Sequence, residues 1–388
     1  MTRRGAAVIG VGFIGELHVD ALRRAGVEVV GVLGSSPGRA REKARRMGVD
    51  RVYGDLAELL ADPAVQVVHV TSPNHLHAEQ SLAAIEAGRH VVCEKPLAMD
   101  AADGLRMLHA AGAAGVIHAV CFNIRFYPVL HEAAARVRAG AVGPPRLVSG
   151  HYLQDWLLRD TDWNWRLDPA QAGSLRAVAD IGSHWLDLAR FVTGLEVTEV
   201  LADLHTFVRH RRRPTGPVET FAAAHSPEHA GEREVVEMAS DDAAGLLLRY
   251  GGDARGVLTV SQVSAGRKNT VNMEVDGTDA SLAWSSEAAE QLWLGHRDRP
   301  NEQLWRDPAL LGPDAGRVAH YPGGHAEGFA ETFLGLFERV YADVAAGGPS
   351  AGPAYPTFAD GLEGLFVEEA IRRSAAEGRW VSVERRKE

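Results

Sequence analysis

Ala6-Ala7-Val8-Ile9-Gly10-Val11-Gly12-Phe13-Ile14-Gly15 decides the fold of this chain. Four apolar residues that read as a strand run straight into a G-x-G-x-x-G loop, and residues 16–25 then read as a helix that stops at Gly26. In that order each glycine has its own task. Gly10 makes the tight turn, Gly12 lets a pyrophosphate approach the backbone, and Gly15 packs helix against strand. Taken alone, the hexapeptide is equally a tight turn without a ligand. Placed between strand and helix it predicts a dinucleotide site formed by Gly10, Gly12 and Gly15 with the intervening Phe13 and Ile14.

Working outward, strand and helix keep alternating. Residues 27–33, 65–71, 90–93 and 116–121 read as strands, while 56–61, 78–87 and about 100–111 read as helices. This spacing predicts a doubly wound parallel sheet ending near residue 122, with the turns at Gly10, Gly34, Ser72 and Glu94 opening on one edge. The acid expected after the second strand is missing. Gly34-Ser35-Ser36-Pro37-Gly38-Arg39 stands there instead, and Ser35, Ser36 and Arg39 offer donors suited to a 2′-phosphate. The cofactor is therefore expected to be NAD(P), with a slight tilt towards NADP. Arg39 is equally the start of the next helix, and the missing acid permits NADP without forbidding NAD.

Val91-Val92-Cys93-Glu94-Lys95-Pro96-Leu97 places a lysine just past a buried strand, at the edge where open α/β sheets bind ligands. Lys95 there is a candidate for proton chemistry. The plainer reading is a surface lysine before a turn.

After residue 122 the pattern changes. A helix at 128–139 and a strand at 146–154 lead into Asp155-Trp156 and then Trp163-Asn164-Trp165-Arg166, whose aromatic faces suit either core packing or a sugar ring. Asp180-Ile181-Gly182-Ser183-His184-Trp185-Leu186-Asp187 opens a helix to Gly194, and helical spacing puts Asp180, His184 and Asp187 on one face. A capping aspartate with an exposed histidine, or a metal-ligand set, would fit the same spacing; no metal is expected. Strands at 245–250, 256–263, 271–275 and 281–284, with Asp276-Gly277 as a hairpin turn, predict a mostly antiparallel sheet. Residues 209–234, which include Arg211-Arg212-Arg213, read as a solvated insertion, and 327–345 and 358–376 as amphipathic helices.

Composition narrows the possible functions. The 388 residues are 46% hydrophobic, ample for a sizeable core, and 41 Lys and Arg stand against 51 Asp and Glu. A net charge of -10 argues against nucleic acid as a partner. No apolar run reaches about 18 residues, and Met1-Thr2-Arg3-Arg4 opens a stretch too short for a signal peptide, so a cytoplasmic protein without a membrane partner is expected. Two cysteines, Cys93 and Cys121, suit a reducing compartment.

The Gly10–Gly15 loop, Ser72-Pro73-Asn74-His75-Leu76-His77, Glu94-Lys95-Pro96 and the Asp180, His184 pair together resemble the glucose-fructose oxidoreductase, inositol dehydrogenase and MocA family over nearly the whole chain. Two departures stand out: the acid after the second strand is absent, and the 209–234 stretch is longer than usual. The resemblance implies a Rossmann domain over 1–122 and an α/β domain over 123–388 with a large open, mostly antiparallel sheet. The last helix is expected to pack back on the first domain. It also implies hydride transfer between NAD(P) and a secondary hydroxyl of a sugar or cyclitol. Lys95 would then touch nicotinamide ribose and substrate, Asp180 would hold the substrate, and His184 would take the hydroxyl proton. Ser72, Asn74, His77, Glu94, Asn123, Arg125, Trp165 and Arg166 resemble family positions near the cofactor. Tyr152, Asp155, Trp163 and His325, in loops or strand ends of the second domain, are further substrate candidates. A redox-assisted glycosidase and a silent sugar-sensing regulator are the alternatives. An open sheet with one bare face implies a homodimer or homotetramer.

Overall fold

Five short strands, β1 (Gly5–Ile9), β2 (Glu28–Leu33), β3 (Val67–Val70), β4 (His90–Cys93) and β5 (His118–Val120), pair in parallel in the order β2-β1-β3-β4-β5. Their sequences are largely apolar because both faces are covered, and every residue of β1 and β3 is buried, His69 included. Order reverses at β1, whose neighbours β2 and β3 lie on opposite sides, and Gly10 follows directly at that switch point. The computed structural model describes residues 4–216 and 233–386.

The intervening helices are α1 (Phe13–Arg24), α2 (Pro37–Met47), α3 (Leu56–Ala61), α4 (His77–Glu86) and α5 (Ala101–Ala114). Asp55 and Asp100 cap α3 and α5 by accepting from Glu58 N and Asp103 N. This unit runs to Asn123 and is completed by Phe329–Leu365. The helix Phe329–Ala346 packs on α1, with the Phe333 and Phe337 rings 5.4 and 4.8 Å from that of His18. Helix Phe358–Glu377 then begins, and Gly104 of α5 leaves room for Leu365, whose Cδ1 lies 2.7 Å from where a Cβ would stand.

The second unit comprises Ile124–Gly328 and the chain from Phe366. Its strands are β6 (Pro145–Leu153), β7 (Val197–His205), β8 (His210–Pro214), β9 (Arg233–Glu237), β10 (Ala243–Tyr250), β11 (Arg255–Ser261), β12 (Thr270–Gly277), β13 (Ser281–Ser285), β14 (Gln291–Gly295), β15 (Glu302–Trp305) and β16 (Val381–Ser382). Nine of them form one sheet, β15-β14-β13-β12-β6-β11-β10-β7-β16, antiparallel except where β6 meets β11. Burial alternates along β10 and β11: Leu246, Leu248, Leu258 and Val260 are buried, while Leu247 and Val257 face out.

Helices Pro128–Arg138 and Ser183–Thr193 cover the buried face. Trp185 is the anchor. It is fully buried and its Nε1 donates to Asn272 O at 2.8 Å, a fit that requires Gly150, where a Cβ would stand 2.0 Å from that same carbonyl and 2.7 Å from Trp185 Nε1.

Three local expectations change. Asp276 and Gly277 remain in β12, since Asp276 pairs with Ser281, and the turn lies at 278–280. The helix expected to open at Asp180 begins with a π turn, Val178–Gly182, before regular helix Ser183–Thr193. The stretch read as a solvated insertion pairs β8 with β9 as a hairpin and buries Arg211 completely; residues 217–232 lie outside the described residues. Charge composition misled there, because a buried guanidinium and an exposed one look alike in sequence.

Candidate functional site

In the first unit, the loop after β1 has the shape its glycines require. Gly10 has φ +101°, and a Cβ there would stand 2.6 Å from Thr71 O; one at Gly15 would stand 2.1 Å from Gly10 O. At Gly12 a Cβ would meet nothing within 4 Å. Two glycines are therefore demanded by packing and the third faces open space, which is the cradle a pyrophosphate needs. α1 starts after Gly12 with no side chain capping it, so its end presents backbone N–H groups and the positive end of the helix dipole. Phe13 is exposed beside it, and Ile14 follows in the first turn.

The missing acid has a steric reason. A Cβ at Gly34 would lie 2.9 Å from Ala40 Cβ and 3.0 Å from Val11 Cγ2. Ser35 is exposed, Ser36 precedes Pro37 at the start of α2, Arg39 is exposed, and the first turn of α2 carries no acidic residue.

Beyond β4, Glu94, Lys95 and Pro96 are braced from below. Glu94 is buried, with Oε1 3.1 Å from His18 Nε2 and Oε2 accepting from Lys95 N at 3.2 Å; the Lys95–Pro96 peptide is cis. Lys95 itself is half-buried. His77 is buried with Nδ1 2.8 Å from Pro96 O and Nε2 2.9 Å from Ser72 O, so it ties two turns together. Burial lowers its pKa, against the pull of the two carbonyls. Ser72 Oγ donates to Gln80 Oε1 at 2.6 Å, Asn74 is buried, and Asn123 Nδ2 donates to Thr332 Oγ1 at 2.7 Å.

Sequence reasoning missed what lies beneath. His18 Nδ1 is 3.0 Å from His69 Nδ1, His69 Nε2 is 3.0 Å from Tyr341 Oη, and Cys121 Sγ is 3.7 Å from His18 Nε2, all of these groups being buried. Burial, then His18, pushes the His69 pKa well below the usual imidazole range, and burial pushes the Cys121 thiol well up. The available signal was His69, a lone polar residue inside the valine strand Val67–Val70.

In the second unit the π turn presents Asp180. Its Oδ1 accepts from Arg166 Nε at 2.9 Å and its Oδ2 from Gln262 Nε2 at 2.7 Å. Gln154 Oε1 accepts from Trp156 Nε1 at 2.5 Å and lies 3.4 Å from Gln262 Nε2. The Arg166 guanidinium sits 4.5 Å from the Trp165 ring centre and 5.9 Å from that of Trp156. His184, buried, follows on the next turn with its ring 6.3 Å from that of Tyr152. Tyr152 Oη donates to Asn269 Oδ1 at 2.8 Å, and burial followed by the Asp180 charge raises its pKa. Asp180, Arg166, Tyr152, His184, Trp156 and Trp165 therefore gather at one place, joined by Gln262 and Gln154, which sequence reasoning did not single out.

Other candidates are engaged elsewhere. Asp187 is gripped by Arg125, Nε to Oδ2 at 2.6 Å and Nη2 to Oδ1, so Asp187 does not join Asp180 and His184 as a ligand set. Asp155 holds Lys268 Nζ at 2.7 Å and Gly266 N at 3.1 Å. Trp163 packs on the Leu157, Leu167 and Met238 cluster. His325 is exposed; its carbonyl accepts from Arg306, which also binds Glu290 at 2.6 Å and Glu327 at 3.0 Å.

Residues 4–122 match the model of the GFO/IDH/MocA oxidoreductase family with its NAD-binding Rossmann fold, and 130–283 match the GFO/IDH/MocA C-terminal domain. A levoglucosan dehydrogenase from Pseudarthrobacter phenanthrenivorans is 30% identical over 99% of each chain. The chain belongs to the GFO/IDH/MocA family. Similar GFO/IDH/MocA structures include a levoglucosan dehydrogenase in complex with NADH and L-sorbose (29% identity, TM-score 0.87, all of both chains). Another is an inositol dehydrogenase homolog from Azotobacter vinelandii with NADH and myo-inositol (27% identity, TM-score 0.82, 98% of each chain).

Proposed function

We propose that the protein oxidises a secondary hydroxyl of a pyranose, anhydro-sugar or cyclitol, with Lys95, Asp180 and His184 carrying the chemistry. The carrying observation is Asp180: a carboxylate fixed on both oxygens, one turn before a histidine and joined through Arg166 to Trp156 and Trp165, is suited to gripping and orienting a polyhydroxylated ring. The NADH complexes of its relatives with L-sorbose and myo-inositol support the same class.

Bound nicotinamide supplies the hydride acceptor. The Gly10–Gly15 loop and the start of α1 hold its pyrophosphate, and Ser35, Ser36 and Arg39 take the adenosine end. Ser72, Asn74 and Glu94-Lys95 lie at the strand ends of the same unit and complete its binding face. Lys95 would contact the nicotinamide ribose and the substrate oxygen; Glu94, itself held by His18, accepts from its backbone N–H, and His77 holds the carbonyl of the next residue, Pro96. His184 accepts the hydroxyl proton, a step that imidazole suits because its ordinary pKa lies near neutral pH. Asp180 accepts hydrogen bonds from the neighbouring hydroxyl, with Arg166 and Gln262 preventing its rotation.

Cys93 and Cys121 are free and buried, which suits the reducing cytoplasm. No described helix is long and apolar enough to cross a membrane. The deciding experiment mixes the protein with NAD or NADP and a panel of pyranoses, anhydro-sugars and cyclitols and follows formation of reduced nicotinamide. Net reduction with at least one sugar is expected. Glycoside cleavage without net reduction would indicate the redox-assisted glycosidase instead, and sugar binding without either would indicate a regulator.

A further inference from the structure

Arg211 lies in β8, in a stretch whose composition suggests a solvated loop, yet it is completely buried. Its Nη2 donates to Leu157 O and to Asp242 Oδ1, both at 2.8 Å, and its Nη1 to Arg159 O at 2.9 Å and Asp162 O at 3.4 Å. Burying a guanidinium is unfavourable unless its charge and donors are met, and here one carboxylate and three carbonyls meet them, leaving Nε without a partner among the described residues. Those carbonyls belong to the segment from Leu157 to Asp162, which has no helix or strand of its own to satisfy them.

The rest of the hairpin does the same. Arg212 N donates to Asp160 O at 2.8 Å, and Arg233 Nη1 to Thr161 O at 2.9 Å. Val236 and Met238 pack with Leu157, Leu167, Trp156 and Trp163, and the Arg213 guanidinium lies 5.9 Å from the Trp163 ring centre. Both ends of this network reach Asp180. Asp242 also binds the buried Arg176, whose Nη1 is 3.5 Å from Gln262 Oε1, and Gln262 holds Asp180. At the far end of the tryptophan segment, Arg166 holds the other oxygen of that carboxylate.

We propose that the β8–β9 hairpin, acting through Arg211, sets substrate specificity by fixing the 156–165 segment as the aromatic wall against which the sugar ring is selected. Arg211 is a positioning residue, since it acts through the backbone it holds. The inference rests on the reading that Asp180 and His184 grip the sugar. A wall of this kind favours sugars with a continuous C–H face, because such a face can stack on indole. Loosening it weakens binding of ground state and transition state alike, so KM rises while kcat is kept.

The test compares Arg211→Lys, which keeps a charge for Asp242 and loses the fork that spans the carbonyls, with Arg233→Ala, which removes the contact to Thr161 and leaves no buried charge. Expected are a KM for the best sugar raised about tenfold or more in Arg211→Lys and about threefold in Arg233→Ala. In both, kcat should stay within about twofold, cofactor affinity should be unchanged, and the preference between the best and second-best sugars should narrow. Lost kcat with unchanged KM, or folded variants with wild-type KM and preference, overturns the inference while leaving the proposed reaction intact. If Arg211→Lys does not fold, Arg233→Ala decides alone. A wild-type protein that oxidises no sugar, and whose tryptophan fluorescence no sugar alters, overturns both.

Discussion

Gln262 Nε2 donates to Asp180 Oδ2 over 2.7 Å, and Gln262 is completely buried. Replacing this amide by a carboxyl, Gln262→Glu, puts a second acid against Asp180, so the pair holds a proton to higher pH. Arg166 and Tyr152 are charged and titratable groups that also act on Asp180. If ionised Asp180 orients the substrate, the acid limb of the kcat/KM profile should move up by about one pH unit or more, and Asp180→Asn should lower kcat roughly 10²-fold. An acid limb that stays in place in a folded Gln262→Glu protein contradicts the role given to Asp180.

Cofactor choice follows from Gly34. Its position has no room for a side chain, so the carboxylate that would repel a 2′-phosphate is absent, and Ser35, Ser36 and Arg39 offer donors. NADP(H) is expected to bind at least as tightly as NAD(H). Titration of both by fluorescence checks this; NAD(H) bound about tenfold tighter, a difference of about 1.4 kcal/mol, would show that the loop is misread.

His69 ties stability to pH. Its folded pKa lies well below 6.5 because the ring is buried, so the folded protein keeps it neutral while the unfolded chain protonates it near pH 6.5. Stability from this group is complete above that pH and falls as pH drops, by up to about 1.4 kcal/mol per pH unit. The Tm of the wild type should decline between about pH 7 and pH 5.5, and His69→Gln should decline less steeply whatever its starting Tm. Equal slopes would mean that His69 is not kept neutral.

The outward face of the large sheet bears on assembly. Leu147, Leu247 and Val257 are 37%, 45% and 42% exposed and share one face across β6, β10 and β11, where Leu247 pairs with Val257 and Val257 with Ser149. A second copy of this chain is the occupant expected there. Light scattering should give a dimer or tetramer mass, and Leu247→Glu should lower it; a wild-type monomer at micromolar concentration contradicts the expectation.

Much of this molecule was legible in its sequence because its signals are local. The Gly10–Gly15 loop, the apolar runs of β3 and β4 and the stops at Gly26 and Gly88 are set by neighbours along the chain, so the Rossmann sheet could be read directly. Asp180 and His184 were visible as a pair at helical spacing. Their partners were not, since Gln262 reaches Asp180, and Gln154 reaches Gln262, only through the pairing of β11 with β6. Helical spacing put Asp187 on one face with Asp180 and His184, but the hold of Arg125 on it is a tertiary fact that the spacing does not carry. Arg211 looked like a solvated charge because only the fold shows the carbonyls that surround it.

The proposed chemistry turns on His184. The decisive measurement is the turnover of His184→Ala on the best sugar, beside its cofactor affinity and that of Lys95→Met. A kcat lowered roughly 10²-fold or more is expected in both variants, with cofactor binding unchanged in His184→Ala and modestly weakened in Lys95→Met. A folded His184→Ala protein that turns over its best sugar at near the wild-type rate would contradict it, and Tyr152 or Asp180 would then have to carry the proton.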